Sequence, residues 1–283
     1  MEKPVDTYRL NDGHEIPKIG FGTVALKGNR GKLAIINAIQ KGYRYIDTST
    51  NYNNEGIVGK AIKESGVPRS ELFIGTKLPG EYQKFDDALE LVQEQLARLD
   101  LEYFDQYLIH WPNPDDGLFP EAWEALIQAQ KLGYIRSIGV SNFLEEHLEK
   151  IIEETGVIPA MNQIEVHPYF TNEEAHQSNQ ERKILTQSWS PLGRNLNDLR
   201  ENETIKEIGE VYGKSNSQVI IRWNLQLGLL PVVKAENPIH QEENLNVFDF
   251  ELTDDEMAIL SGLHKGEEGR VEGQHPNEYH EYT

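Results

Sequence analysis

Four side chains that can move protons or orient a carbonyl group lie at or just after the ends of short apolar runs. Asp47, Lys77 and His110 each end such a run, and Tyr52 follows Asp47 by five residues. A neighbouring ammonium favours phenolate, so a lysine and an aspartate beside a tyrosine are expected to lower its pKa from about 10 toward neutrality. The tyrosine then serves as a general acid, and the histidine orients a carbonyl oxygen. The set predicts protonation of a developing alkoxide, and a reduction of this kind needs a separate hydride carrier.

Each of these residues also has a structural explanation when it is taken singly. Asp47 is suited to cap the next helix, Lys77 to lie in a solvated loop, and His110 to pack as a core imidazole. Only geometry makes a catalytic site, so the functional interpretation depends on whether the fold brings the four together.

The runs belong to a regular alternation of strand and helix. Runs of β-type composition are each followed by a longer segment with helical spacing of apolar residues. The runs cover residues 18–22, 43–47, 72–77, 107–110, 137–140, 161–165, 184–188 and 230–234, and the clearest helices cover 85–99 and 121–132. Eight such units in 283 residues predict an α/β fold, a closed (β/α)8 TIM barrel with its active site at the carboxyl ends of the strands. An open dinucleotide-binding sheet is disfavoured because Gly20-Phe21-Gly22-Thr23 lacks the third glycine and a following helix.

Segments outside the alternation are expected to complete the barrel. Residues 7–10 and 15–16 flank the turn sequence Asn11-Asp12-Gly13, which predicts an N-terminal β-hairpin that plugs one mouth. Thr253 to Glu256 has the pattern of a capping box that begins a last helix, and the tail from Gly266 onward is predicted to be a loop. No linker interrupts the pattern, so we expect a single domain over residues 1–283.

The composition excludes several classes of function. There are 27 basic and 47 acidic side chains, and the net charge of -20 disfavours nucleic acid and anionic membranes as partners. No apolar run approaches the length of about eighteen residues that a membrane span needs. The N-terminal residues lack the apolar stretch of a secretion signal, so a cytoplasmic location is expected. The absence of cysteine excludes thiolate nucleophiles, iron–sulfur clusters and cysteine zinc sites, and no metal site is expected.

The segment 42–55, which reads GYRYIDTSTNYNNE, closely resembles the signature of the aldo-keto reductases. Further blocks follow in the order of that family: GTK at 75–77, LIHWP at 108–112, IGVSNF at 138–143, NQIEVHP at 162–168, SPLG at 190–193 and VFDFEL at 247–252. The resemblance implies a (β/α)8 barrel that binds NADP(H) across its carboxyl-terminal mouth and reduces aldehydes or ketones. Short connections and a short tail resemble bacterial members that act on sugar-derived or small dicarbonyl compounds.

The resemblance assigns roles to the catalytic residues position by position. Tyr52 matches the proton donor, Lys77 and Asp47 match the pair that tunes it, and His110 matches the residue that orients the substrate carbonyl. Trp111 matches a wall of the substrate pocket.

The resemblance also implies a site for the cofactor along the barrel mouth. The residues that match those holding the nicotinamide carboxamide are Ser141, Asn142 and Gln163, and Trp189 matches an aromatic that stacks on the ring. Ser190 and Leu192 belong to a loop that matches the one wrapping the pyrophosphate. The segment that matches the one gripping the adenosine 2′-phosphate contains Lys234, His240 and Asn244.

Departures from the family pattern affect the substrate and the cofactor. Val24 lies where many members have a large aromatic side chain, so a wider pocket is expected. In the loop 234–244, Ala235 replaces a usual hydroxyl and His240 a usual arginine. An arginine binds phosphate bidentately and is always charged, whereas a histidine is only partly charged near neutrality. We therefore expect NADPH to be used with weak discrimination against NADH.

Two other functions remain open from the sequence. Lys77 at a barrel strand end is placed to form a Schiff base with a carbonyl substrate, as in barrel aldolases. Alternatively, the barrel is a non-catalytic module that binds the cofactor. The expected partner is a small carbonyl compound, and the family resemblance favours a monomer.

Overall fold

Eight parallel strands close into a barrel in the computed structural model, which describes residues 6–194 and 196–281. The strands of the described residues are, in chain order, β1 (Thr7–Arg9), β2 (Glu15–Pro17), β3 (Gly20–Gly22), β4 (Tyr45–Asp47), β5 (Phe73–Leu78), β6 (Phe104–Ile109), β7 (Ile135–Ser141), β8 (Met161–Glu165), β9 (Leu185–Trp189) and β10 (Leu230–Val233). Strands β3 to β9 pair with their neighbours in chain order, and β10 pairs with both β9 and β3 to close the barrel. The predicted TIM barrel is confirmed.

Helices connect the strands and cover the outside of the barrel. They are α1 (Gly28–Lys41), α2 (Glu55–Glu64), α3 (Phe85–Leu99), α4 (Phe119–Lys131), α5 (Glu145–Thr155), α6 (Glu173–Glu181), α7 (Asn197–Arg200), α8 (Glu203–Tyr212), α9 (Asn216–Gln226), α10 (Pro238–Leu245) and α11 (Asp254–Ser261). Single turns of 3-10 helix occupy Thr50–Tyr52, Arg69–Glu71, Gly80–Tyr82 and Gly266–Gly269. No helix in the described ranges is both long enough and apolar enough to cross a bilayer.

The N-terminal hairpin closes the end of the barrel opposite the strand ends that carry Asp47 and Lys77. Strands β1 and β2 pair antiparallel, with Tyr8 opposite Ile16. Leu10 and Ile16 are buried in one cluster with Tyr45 and Met161, which lie at the first positions of β4 and β8. The hairpin therefore plugs the amino end, as predicted, and leaves the carboxyl end to the tail that follows α11.

Strand β6 begins at Phe104, three residues before the predicted start at Tyr107. The prediction is too late because the first part of the strand contains a buried carboxylate. The side chain of Asp105 is 4% exposed and accepts a hydrogen bond of 2.9 Å from the Ile74 backbone N–H. It also forms ion pairs of 2.7 Å with Arg69 and 3.1 Å with Arg136. A charged residue at a buried position on the outer face of the strand interrupts the apolar pattern, so composition alone places the strand start too late.

Other boundaries follow from local chemistry. Helix α3 has the predicted bounds, and Thr253 and Glu256 form the predicted capping box at the start of α11. In the described part of the tail after Gly266 there is only the 3-10 turn, which agrees with a predicted loop. The segment 234–244 differs from the predicted loop because α10 begins at Pro238, with Asn237 accepting a hydrogen bond from the Ile239 backbone N–H. Proline at the first position and a capping asparagine favour a helix start.

Helix α2, which follows Tyr52, approaches α3 at a glycine. A Cβ atom on Gly59 would lie 2.3 Å from the Leu99 carbonyl oxygen, whereas one on Gly56, a turn earlier, would meet nothing within 4 Å. We expect Gly59→Ala to lower the free energy of unfolding by about 1–3 kcal/mol, since the contact is with backbone and cannot relax through a side chain. Gly56→Ala is the matched control and should raise that free energy by up to about 1 kcal/mol through helix propensity. Urea unfolding measures both, and equal effects of the two substitutions would contradict the close approach.

Candidate active site

The predicted functional residues gather at the carboxyl ends of neighbouring barrel strands. Asp47 ends β4, His110 directly follows β6, and Ser141 ends β7 opposite Gln163 on β8. Lys77 is the second-last residue of β5. All strands of a closed parallel barrel present their carboxyl ends on one face, so these side chains share one mouth.

The Lys77 ammonium is the most enclosed charge of the site. Its side chain is 1% exposed, and Nζ lies 2.7 Å from Asp47 Oδ1 and 2.9 Å from the Thr48 carbonyl oxygen. Nζ also donates to the Tyr52 hydroxyl oxygen at 3.5 Å. Burial alone would lower the pKa of Lys77, but the Asp47 carboxylate and Tyr52 outweigh it and raise this pKa above its usual value. The lysine therefore remains an ammonium with three oxygen partners.

The Asp47 carboxylate is held by donors from the barrel interior as well as by Lys77. Its Oδ2 accepts hydrogen bonds of 3.1 Å from the Tyr45 hydroxyl and 3.0 Å from Gln163 Nε2. Burial raises the pKa of Tyr45 well above its usual value, so Tyr45 stays a donor. Gln187 joins this network from β9, since its Oε1 accepts from Gln163 at 3.1 Å and from Gln106 at 3.1 Å. The ion pair thus rests on a polar layer across the barrel.

The loop after β4 carries Tyr52 in a turn of 3-10 helix. Asn54 fixes this loop, because its Nδ2 donates to the backbone oxygens of Thr23 at 2.8 Å and Leu26 at 3.0 Å. The Tyr52 ring faces the His110 ring edge to face, with centroids 6.4 Å apart and an angle of 79°. The phenol, the ammonium and the imidazole are therefore brought together, as the sequence predicts.

The predicted lowering of the Tyr52 pKa is wrong for this structure. Burial raises the pKa of Tyr52 above its usual value, the Lys77 charge acts in the opposite direction, and the Asp47 and Glu281 carboxylates add to the rise. The ammonium acts to lower this pKa, as expected from the sequence, but burial and the carboxylates outweigh it. Tyr52 is consequently fully protonated near neutral pH.

His110 is in contact with a residue that the sequence analysis did not select. Its Nδ1 meets Oε1 of Glu281, near the end of the described tail. The side chain of Glu281 is 2% exposed, and that of His110 is 15% exposed. No local sequence signal marks Glu281, because one glutamate in an acidic tail resembles the others.

The residues expected to hold a nicotinamide form a hydrogen-bonded group beside the catalytic residues. Asn142 adopts a left-handed backbone conformation with φ of 61°, which asparagine tolerates. Its Nδ2 donates to the His110 carbonyl oxygen at 3.0 Å and to Ser141 Oγ at 3.1 Å, and its Oδ1 accepts from Trp189 Nε1 at 2.7 Å. The indole of Trp189 is thereby fixed and half-buried. Hydroxyl and amide groups beside an aromatic face fit the polar carboxamide and flat ring of a nicotinamide.

The residues expected at the far end of the cofactor lie apart from this group. Ser190 and Leu192 are half-buried in the turn after β9, and Lys234 is exposed directly after β10. His240 is exposed on α10 with its Nδ1 3.0 Å from Glu243 Oε2, whereas Asn244 is 3% exposed, and its side chain hydrogen-bonds Tyr43.

A further cation lies at this end of the site. Arg30, from the start of α1, is 85% exposed and lies 2.5 Å from Glu236 Oε2. Sequence reasoning missed it because it is distant in the chain from residues 234–244.

The substrate pocket residues predicted from the sequence differ in exposure. Val24 is 41% exposed in the loop after β3, and Trp111 is 4% exposed directly after His110. The Trp111 ring lies 4.3 Å from the ring of Tyr279, centroid to centroid, so the tail covers this tryptophan.

Comparison with known proteins agrees with this arrangement. Residues 18–265 match the Aldo/keto reductase family. The chain is 43% identical over 262 residues to 2,5-diketo-D-gluconic acid reductase B of Corynebacterium sp. (strain SHS752001), a match that covers 93% of this chain and 94% of the relative.

Solved structures give the same result. A crystal structure of a mutant of Gox0644 in complex with NADPH is 37% identical, with a TM-score of 0.92 over 98% of this chain and 99% of the other. An aldo-keto reductase of Bombyx mori in complex with NADP is 32% identical, with a TM-score of 0.90 over 98% of this chain and 100% of the other. With the fold, the arrangement of Lys77, Asp47, Tyr52 and His110, and these matches in agreement, the chain belongs to the aldo/keto reductase family.

Proposed function

We propose that this chain reduces aldehydes and ketones to alcohols with NADPH, and that Tyr52 is the proton donor. The observation that carries the proposal is the contact of the Tyr52 hydroxyl with the buried Lys77 ammonium, which is itself paired with Asp47. A phenol in this setting holds its proton until an alkoxide forms and then leaves a phenolate beside a fixed positive charge. His110, whose ring faces Tyr52, orients the carbonyl oxygen between the two side chains.

The residues of the mouth define how the cofactor is held. When bound, NADPH supplies the hydride that the protein side chains cannot provide. Ser141, Asn142 and Gln163 offer hydroxyl and amide groups to the carboxamide, and Trp189 offers its ring face. Gln163 also donates to Asp47, so the proposed cofactor site and the catalytic ion pair share one side chain.

The pyrophosphate is proposed to lie over Ser190 and Leu192, in the turn after β9, and the adenosine end along the segment after β10. Lys234 is the cation expected for the 2′-phosphate, with the N-terminus of α10 nearby. His240 and Asn244 make weaker candidates in the structure, because His240 faces Glu243 and Asn244 is buried. Weak discrimination between NADPH and NADH remains our proposal.

The geometry argues against the two other functions considered from the sequence. A Schiff base requires a neutral amine, whereas Lys77 is held as an ammonium by Asp47 and two further oxygens. A non-catalytic module would have no use for a phenol, an ammonium and an imidazole in contact at the mouth. Carbonyl reduction uses all three.

The setting of the activity is proposed from composition and topology. Strand β3, in the first part of the sequence, pairs with β10, in the last part, to close one barrel. This pairing supports a single domain over residues 1–283. The net charge of -20 disfavours nucleic acid and anionic membranes as partners. A cytoplasmic monomer acting on a small carbonyl compound, with Val24 and Trp111 lining its pocket, is the arrangement we propose.

Replacing Tyr52 by phenylalanine tests the proton donor. Tyr52→Phe removes the hydroxyl and keeps the ring, so carbonyl reduction should fall by about 10² to 10⁴ while NADPH still binds. NADPH oxidation at saturating aldehyde and fluorescence titration of NADPH measure the two effects. Tyr82→Phe, at a partly exposed tyrosine, is the control. Turnover above a tenth of the wild-type value in Tyr52→Phe would exclude this role.

Replacing Lys77 by methionine tests the ion pair. Lys77→Met leaves the Asp47 carboxylate buried without its cation, which should cost about 3–5 kcal/mol of stability and remove the charge that stabilises the phenolate. Turnover per folded molecule should fall by at least about a hundredfold. Urea unfolding and NADPH oxidation are measured beside Lys60→Met, at an exposed lysine of α2. A stable and active Lys77→Met protein would disprove the role of the pair.

Replacing Glu236 by glutamine tests the phosphate end. The carboxylate of Glu236 neutralises Arg30, so Glu236→Gln should release this cation and tighten NADPH by up to about fivefold, the scale of an exposed ion pair. NADH, which lacks the 2′-phosphate, should bind as before. Fluorescence titrations of both cofactors are compared with Glu242→Gln, at a carboxylate of the same segment paired with Lys41. Equal changes for both cofactors would place the 2′-phosphate elsewhere.

A further inference from the structure

The tail after α11 crosses the mouth of the barrel and is fastened at several points. The Lys265 backbone N–H donates to the Tyr169 carbonyl oxygen at 2.9 Å. The Val271 backbone N–H donates at 2.9 Å to Oε1 of Glu165, a buried carboxylate at the end of β8 that also contacts His167. Asn277 Nδ2 donates to Glu146 on α5 at 3.1 Å. These anchors place the end of the described tail over the catalytic residues.

The last described residue of this tail inserts its carboxylate among the three loops that carry the catalytic side chains. Glu281 Oε2 accepts from the Gly80 backbone N–H at 2.7 Å, and Oε1 accepts from Asn51 Nδ2 at 2.6 Å. Oε1 also contacts His110 Nδ1. With 2% of the side chain exposed, the carboxylate is desolvated and depends on these donors. Such a built set of contacts distinguishes Glu281 from the other tail glutamates, for example the exposed Glu278.

The hydrogen-bond donors of Glu281 are uncharged, and the His110 imidazole that meets its Oε1 balances the carboxylate only when it is protonated. The Gly80 N–H and the Asn51 amide are neutral donors. The nearby Lys77 ammonium is already paired with Asp47 at 2.7 Å. The Glu281 charge also reaches the reacting centre, because it contributes to the raised pKa of Tyr52. A substrate bound between Tyr52 and His110 therefore lies next to the buried Glu281 carboxylate.

We propose that Glu281 is a specificity-determining residue of the substrate pocket, which selects uncharged carbonyl compounds over those that carry a carboxylate. The inference rests on the proposed carbonyl reduction and adds the charge of the substrate to it. Like charges brought together in a desolvated site strongly disfavour binding. A carboxylate-bearing substrate must either approach Glu281 or displace it from its donors. An uncharged aldehyde or ketone meets neither penalty.

The proposed preference for uncharged substrates differs from the preference that the name of one relative indicates. The Corynebacterium relative is named for 2,5-diketo-D-gluconic acid, a dicarbonyl compound with a carboxylate. If the present chain shared that preference, the donors at Gly80 and Asn51 would serve the substrate carboxylate and Glu281 would only hold their place. The two arrangements predict opposite charge preferences.

The test compares two aldehydes that differ in charge at one substituent. These are 4-formylbenzoate and its uncharged methyl ester, assayed with NADPH at pH 8 for kcat/KM. The wild-type protein should prefer the ester, and Glu281→Gln, which keeps the shape and removes the charge, should reduce that preference by about tenfold or more. The change should arise mainly from a higher kcat/KM for 4-formylbenzoate. Differences in intrinsic reactivity cancel when the ratio is compared between variants.

The controls separate charge from structure and from the proposed function. Glu278→Gln, on the same tail and exposed, should leave the ratio unchanged. A purely structural role of Glu281 would change both substrates together and leave the ratio at the wild-type value, which would overturn the inference. A wild-type preference for 4-formylbenzoate that survives in Glu281→Gln would overturn it as well. Failure of every variant to oxidise NADPH with either aldehyde would instead contradict the proposed function.

Discussion

The buried ion pair between Lys77 and Asp47 is the interaction on which the rest of the site depends. Desolvating both charges is costly, and the cost is tolerated only because each charge has further partners. Lys77 contacts Thr48 and Tyr52, while Asp47 accepts from Tyr45 and Gln163. A barrel can supply this arrangement because neighbouring strands in register present alternate side chains to one interior. The pair then places a fixed positive charge against a half-buried phenol.

The polar layer beneath the pair connects elements that are far apart in the chain. Gln187 on β9 exchanges hydrogen bonds with Gln106 on β6, at 2.8 and 3.1 Å, and accepts from Gln163 on β8. A hydrogen-bonded network of this kind makes the core more rigid and favours one arrangement of its side chains. Gln163 belongs to both the network and the proposed nicotinamide site, so a cofactor that moved its amide would also move a hydrogen-bond donor to Asp47.

The parts of this structure that could be predicted from sequence are those governed by local pattern. The predicted strand ends located Asp47 and His110 at the carboxyl end of the barrel, because the apolar pattern stops where a strand leaves the core. The predicted start of β6 was too late because the buried Asp105 carboxylate is paired with arginines from other elements, which the local sequence pattern does not show. The direction of the Tyr52 pKa was also wrong, since burial and the charge of Glu281 are properties of the assembled mouth. Single glutamines inside two β-type runs were the only local sign of the polar layer.

The distribution of charge determines how an anionic cofactor can be held by so acidic a chain. From Glu236 to the C-terminus there are 13 acidic and 2 basic residues, and this part of the chain borders both ends of the proposed cofactor site. A long-range field of this sign repels a dinucleotide, so we propose that its affinity comes from short-range groups, namely the Ser141 hydroxyl, the amides of Asn142 and Gln163, Lys234 and the N-terminus of α10. The same reasoning applies at the substrate end, where Glu281 sets the sign of the local field and neutral donors at Gly80 and Asn51 hold it in place. Contacts within a few ångströms therefore determine both what binds and in which charge state, while the net charge of the chain contributes mainly to solubility.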